Sequence, residues 1–125
     1  MNTSNIINLQ WFPTEDGLLT FLRLEQTTCK VEYDQKLELL GIHPLALAHE
    51  QLDAEKLSQL LELNILAFEY DCSIAINKGS IVLLGKATPD KLEERLRIGI
   101  NLMFAVLELF NIENQHDATQ GYQSA

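Results

Sequence analysis

The chain lacks the features that mark membrane-spanning and nucleic-acid-binding proteins. Its 9 Lys and Arg residues face 18 Asp and Glu residues, which gives a formal net charge of -9 at pH 7. Most of such a surface repels a phosphate backbone or an anionic bilayer. No apolar run approaches the ~20 residues that a bilayer-spanning helix needs. We therefore expect neither nucleic-acid binding nor membrane insertion.

Cysteine and targeting signals are equally scarce. The two cysteines, Cys29 and Cys72, do not form a C-x-x-C pair, and in a chain able to bury a core they are more often small hydrophobic residues than disulfide partners. Residues 1–17 contain no Lys or Arg and no small-residue cleavage pattern, so neither a secretory signal nor a transit peptide is visible. These absences predict a cytoplasmic protein.

Residues that commonly serve catalysis are also few. The three histidines, His43, His49 and His116, lack metal-ligand spacing. Glycine-rich phosphate and dinucleotide motifs are absent, and so is the G-x-S-x-G nucleophile motif. We expect no catalytic residue, no metal and no cofactor, and hence a protein that is not an enzyme.

What the chain does contain is enough apolar sequence for one globular domain. Of its 125 residues, 46% are hydrophobic and 22% charged, which is typical of a folded protein with a core. No linker or repeat interrupts residues 1–112. Residues 113–125 are polar, and we expect this tail to fray.

Two-residue alternation marks the predicted strands. Residues 17–24 favour a strand buried on much of both faces, with a helix as the competing interpretation. Residues 27–33 favour a strand with a single wet face. A third strand ends at Pro44, which cannot donate to a sheet ladder. The stretch "CSIAINKGSIVLLG", residues 72–85, is typical of a hairpin that turns at Gly79.

Helical spacing appears twice. Asp53 is a natural N-cap for a helix over residues 54–70, whose predicted inward stripe consists of Leu57, Leu60, Leu61, Asn64, Ile65 and Phe68. Thr88 and Pro89 begin a long helix. Residues 4–12 favour either a short helix or an extended arm. The prediction is an α+β domain in the order short α-β-β-β-α-β-β-α, with a single antiparallel-rich sheet of about five strands and helices packed on it.

Two details of this arrangement stay open. Asn64 lies on an apolar stripe, so its amide must find a partner, either at the sheet edge, which we favour, or across a subunit boundary. The hairpin is apolar on both faces. That pattern fits two central strands covered on both sides, or one face that meets a second subunit or another protein.

Three stretches carry a resemblance to a known family. They are "DGLLTFLRLEQTTCKVEYD", "LELLGIHPLALAHEQLDAEKLSQLLELNILAF" and "CSIAINKGSIVLLGKATPDKLEERL", and together they cover roughly residues 16–110. In element order, acidity and the "LLxLN" helix that leads into an apolar hairpin, the chain resembles the class I chaperones of type III secretion systems, the Tir-chaperone family. That family usually opens with a longer amphipathic helix than this chain has before Asp16.

The resemblance implies a function in protein export. It implies a homodimer that binds an extended segment of a secreted effector and delivers it to the secretion machinery, with the secretion ATPase as a second candidate partner. The implied dimer interface comprises Leu63, Asn64, Leu66, Tyr70 and Ile74. The implied effector-binding residues are Trp11, Phe12, Leu19, Phe21 and Val31.

Two other classes of function compete with this one. A small ligand-sensing or regulatory domain without catalysis needs a concave pocket, which Trp11, Phe12, Tyr33 and Tyr70 are candidates to line. An enzyme subunit with its site at an oligomer boundary is the third class.

Overall fold

The computed structural model describes residues 9–45, 53–77 and 80–124, with side chains except for Asn77 and residues 111–124. The elements of this part of the chain are β1 (Phe12–Pro13), β2 (Gly17–Leu24), β3 (Thr27–Asp34), β4 (Leu39–Pro44), α1 (Ala54–Glu69), β5 (Cys72–Asn77), β6 (Ser80–Lys86) and α2 (Leu92–Ser124). This order confirms the predicted α+β fold. Of residues 4–12, predicted as either a short helix or an extended arm, residues 4–8 lie outside the described residues, residues 9–11 form neither helix nor strand, and Phe12 belongs to β1. The predicted turn at Gly79 also lies outside the described residues.

The strands form one antiparallel sheet in the order β1-β2-β3-β4-β6-β5. It has one strand more than the five or so predicted, because Phe12 and Pro13 pair with Leu19 and Leu18. A strand of two residues is too short for alternation to reveal it in the sequence. Since β4 pairs with β6, strand β5 lies at the edge of the sheet.

Helix α2 covers one face of this sheet. Gly99 permits the close approach, because a Cβ atom there would lie 2.9 Å from Cδ1 of Ile42 and 3.5 Å from Cδ2 of Leu83. The side chains between helix and sheet form the core, and the largest fully buried ones include Leu24, Ile42, Ile81, Leu83, Leu96, Ile100, Met103 and Leu107. The opposite face of the sheet is called the outer face below.

Helix α1 begins where the sequence predicts, but it turns a different side to the core. The Asp53 carboxylate accepts a hydrogen bond from the Lys56 N–H at 2.8 Å, as expected of an N-cap. The buried residues are Lys56, Leu60 and Ala67. Most of the predicted inward stripe is therefore exposed. Lys56 is tolerated inside because its aliphatic stem is apolar and its Nζ lies 5.9 Å from the Phe110 ring centroid.

Helix α2 starts through a short 3-10 turn. The turn spans Pro89–Lys91 with Thr88 at its N-cap position, which agrees with the predicted start, although the Thr88 side chain makes no capping hydrogen bond. The helical backbone then runs through Ser124. It extends into the polar tail that the composition predicts to fray, where no proline interrupts it.

Candidate docking surfaces

The described residues contain no metal centre. Among them, no group of three or more His, Cys, Asp or Glu side chains is placed to hold a metal ion. His43 is half-buried on β4, and burial lowers its pKa. Cys29 and Cys72 are unpaired and buried. Burial raises the pKa of Cys29 to about 11, which keeps its thiol protonated and unreactive near neutral pH. His49 and the side chain of His116 lie outside this description.

An apolar stripe runs along the exposed side of α1. It consists of Leu57, Leu61, Ile65 and Phe68, whose exposed fractions are 43%, 59%, 68% and 66%. The spacing of three and four residues places these side chains in one row on the helix. This α1 stripe is the most extended exposed apolar row among the described helical side chains, and a row of this kind is typical of a protein interface.

Negative charge borders the α1 stripe. Glu55, Glu62 and Glu69 recur every seven residues, so they lie along one side of the helix, and all three are exposed. Lys56 is the only basic residue in α1, and it is buried. A partner on this helix therefore meets an apolar row with an acidic margin.

The five residues implied for the dimer interface fall into three groups. Leu66 and Tyr70 are exposed at 41% and 47%. Leu63 and Ile74 are partly buried and pack against the core. Asn64 binds the sheet edge, since its Oδ1 accepts the Ile74 N–H at 2.8 Å, and this confirms the favoured alternative. The residues of the α1 stripe are recognisable in the sequence by their helical spacing. Spacing alone does not tell which apolar side of a helix faces the core, and these residues were predicted to face inward.

Arg95 of α2 joins three pieces of backbone beside α1. Its Nε donates to the Lys86 carbonyl oxygen at 2.7 Å. Its Nη2 donates to the carbonyl oxygen of Tyr70 and to that of Asp71 at 3.3 Å. Tyr70 is the C-cap of α1, and α1 has no basic residue in its own last turn. The guanidinium thus supplies the positive charge that favours a helix C-terminus.

A second apolar surface lies on the outer face, at the β1 end of the sheet. Phe12 is the cross-strand partner of Leu19, and Phe21 follows Leu19 on the same face of β2. Phe12 and Phe21 are about half exposed, at 49% and 48%. Lys30, opposite Phe21 on β3, forms an ion pair with Glu32 at 2.9 Å. These contacts bring together three of the five implied effector-binding residues, Phe12, Leu19 and Phe21, which we name the β1–β2 patch.

The other two implied effector-binding residues lie elsewhere. Val31 is 0% exposed in the core, because it alternates with Lys30 and Glu32 and faces α2. The expectation that its side chain lines a binding surface is therefore wrong. Trp11 is half-buried and packs against the core, although it directly precedes Phe12.

The pocket expected for a ligand-sensing domain is not formed by the aromatic residues named for it. Trp11 and Phe12 lie at the β1 edge, Tyr70 lies beside β5 at the opposite edge, and Tyr33 is buried. A different pocket of ≈ 460 Å³ is lined by residues that include Leu37, Glu38, Lys86, Lys91, Glu94 and Arg95. Its charges are mixed, with no convergence on one ligand type.

Neither described helix combines the length and the hydrophobicity that crossing a bilayer requires.

No known protein family matches the chain, and no curated protein sequence is significantly similar to it.

Proposed function

We propose that the chain is a cytoplasmic chaperone of a type III secretion system. It binds an extended segment of a secreted effector as a homodimer, keeps that segment soluble and competent for export, and delivers it to the secretion machinery. The proposal involves no catalysis and no cofactor. It rests on the resemblance of residues 16–110 to class I secretion chaperones and on two separate apolar surfaces.

The α1 stripe is the observation that carries the proposal. Four large apolar side chains in one row are costly to hydrate, and covering them releases roughly 25 cal/mol per Å² of apolar surface. Stable interfaces bury about 800 Å² per partner. Leu66 and Tyr70 are exposed as well, but helical spacing places them beyond the row of Glu55, Glu62 and Glu69, so the stripe supplies the apolar centre of such an interface. A second copy of the chain is the partner we propose here.

The β1–β2 patch supports the second half of the proposal. An extended segment that lies across Phe12, Leu19 and Phe21 inserts alternate side chains between these residues, which is how strand-like peptides are commonly held on sheets. The patch lies at the end of the sheet opposite β5. Effector binding there leaves α1, which packs beside β5, free for dimerisation.

Native mass spectrometry of the protein, purified gently from its own host, tests both halves. Two chains of 14.2 kDa with one stoichiometric larger polypeptide support a dimeric carrier and identify the effector. A bare monomer contradicts the proposal.

The second candidate is the ligand-sensing or regulatory domain, favoured by the ≈ 460 Å³ pocket beside Arg95. It predicts a small molecule retained on the chain in the same spectrum, in place of a larger polypeptide. The two functions are therefore separated by the mass of what remains bound.

A further inference from the structure

Besides the packing of Leu60 and Ala67 in the core, two polar anchors connect helix α1 to the rest of the domain. In its middle, Asn64 binds the backbone of Ile74. At its end, Arg95 binds the carbonyl oxygens of Tyr70 and Asp71. The anchor at the carboxyl end constrains the direction of the helix in addition to the position that Asn64 and the core packing give its middle.

The link between α1 and β5 makes the second anchor necessary. It consists of Tyr70 and Asp71 alone, and Asp71 has a φ of 57°. Non-glycine residues adopt this left-handed conformation rarely, so the surrounding structure must hold it. Arg95 does so because the same guanidinium also binds Lys86, whose N–H bonds the Asp71 carbonyl oxygen at 3.4 Å.

We propose that Arg95 is a positioning residue for the α1 stripe. It fixes the carboxyl end of α1 so that Leu61, Ile65 and Phe68 present one rigid surface to a second copy of the chain. This inference rests on the proposed homodimer. Arg95 itself is not part of the contact surface, because its polar groups are directed at backbone within the same chain.

The test compares three variants of the full chain. Arg95→Met removes every contact of the guanidinium. Arg95→Lys keeps one positive charge but loses the planar fork that reaches Lys86 and Tyr70 together. Arg97→Met is the matched control, since Arg97 lies on the same helix and its Nη2 binds Glu93 at 2.9 Å. For each variant, analytical ultracentrifugation gives the dimer dissociation constant, and hydrogen exchange gives the protection of individual amides.

We expect Arg95→Met to raise the dissociation constant about tenfold, the scale of one lost charge-assisted hydrogen bond. Arg95→Lys should fall between Arg95→Met and the wild type, and Arg97→Met should stay within about twofold of the wild type. The amides of Tyr70 and Asp71 should exchange faster in Arg95→Met, while those of β2 and β3 keep their protection and show that the domain is folded. If Arg95→Met does not fold, Arg95→Lys carries the comparison.

Equal dissociation constants for Arg95→Met and Arg97→Met would overturn the positioning role. A wild-type chain that is monomeric contradicts the homodimer itself, and it then also contradicts the positioning role of Arg95. The two failures are distinct, since the first appears only in the variants and the second in the wild type.

Discussion

The side-chain oxygen of Asn64 accepts the backbone N–H of Ile74 over 2.8 Å and so ties the middle of α1 to the edge of the sheet. An edge strand exposes N–H groups that can pair with another chain. At Ile74 this group is already occupied. The contact with α1 therefore removes one of the β5 groups that could pair with another chain.

The first prediction concerns this hydrogen bond. Asn64→Leu should lower the free energy of unfolding by about 1–3 kcal/mol, because it leaves the Ile74 N–H without its acceptor in a partly buried position. Asn64→Asp keeps an acceptor of the same shape and should lose less at neutral pH. Urea unfolding measures both variants. Equal losses would mean that the hydrogen bond contributes nothing specific.

Much of the fold follows from the sequence for local reasons. Alternation identifies strands β2 and β3, Pro44 ends β4 as predicted, and Asp53 starts α1. These features depend on neighbouring residues only. Strand β1 cannot be predicted from neighbouring residues, because Phe12 and Pro13 form a strand only through pairing with β2.

The candidate surfaces are harder to predict from the sequence, because they depend on which side of a helix or strand faces the core. Helix α1 is apolar on more than one side, so spacing alone allowed Leu61 and Ile65 to point inward. The structure instead buries Lys56 and Ala67. A buried lysine and an exposed leucine are the reverse of what the hydropathy of each residue predicts. The orientation of α1 is decided by its packing against Phe110 and β5.

The second prediction separates surface from core on α1. Ile65→Asp should dissociate the proposed dimer and leave the monomer folded, because Ile65 is 68% exposed. Leu60→Asp should unfold the domain, because Leu60 is buried and an unpaired carboxylate there is costly to desolvate. Ultracentrifugation and far-UV circular dichroism distinguish the two results. Unfolding by Ile65→Asp would place this residue in the core.

The third prediction concerns alkaline pH. The pKa of Cys29 is raised from 9.0 to about 11 by burial, so the folded state holds the thiol proton more tightly than the unfolded state. The stability from this difference is fully present below pH 9 and is lost as the pH rises through about 11. Cys29→Ala should therefore lose less stability than the wild type over this range. Urea unfolding at pH 8 and pH 10.5 measures the difference, and parallel losses in both proteins would contradict it.

The fourth prediction tests the β1–β2 patch against the core beneath it. Phe21→Ala should weaken binding of the proposed effector segment while leaving the unfolding free energy within about 0.5 kcal/mol, since Phe21 is half exposed on the outer face. Val31→Ala, one strand away and fully buried, should lower that free energy by about 2 kcal/mol through the cavity it creates. Isothermal titration calorimetry and urea unfolding measure the two effects. If Phe21→Ala binds the polypeptide as tightly as the wild type, the effector lies elsewhere; if Val31→Ala weakens binding without loss of stability, the outer face is not the side that the effector contacts.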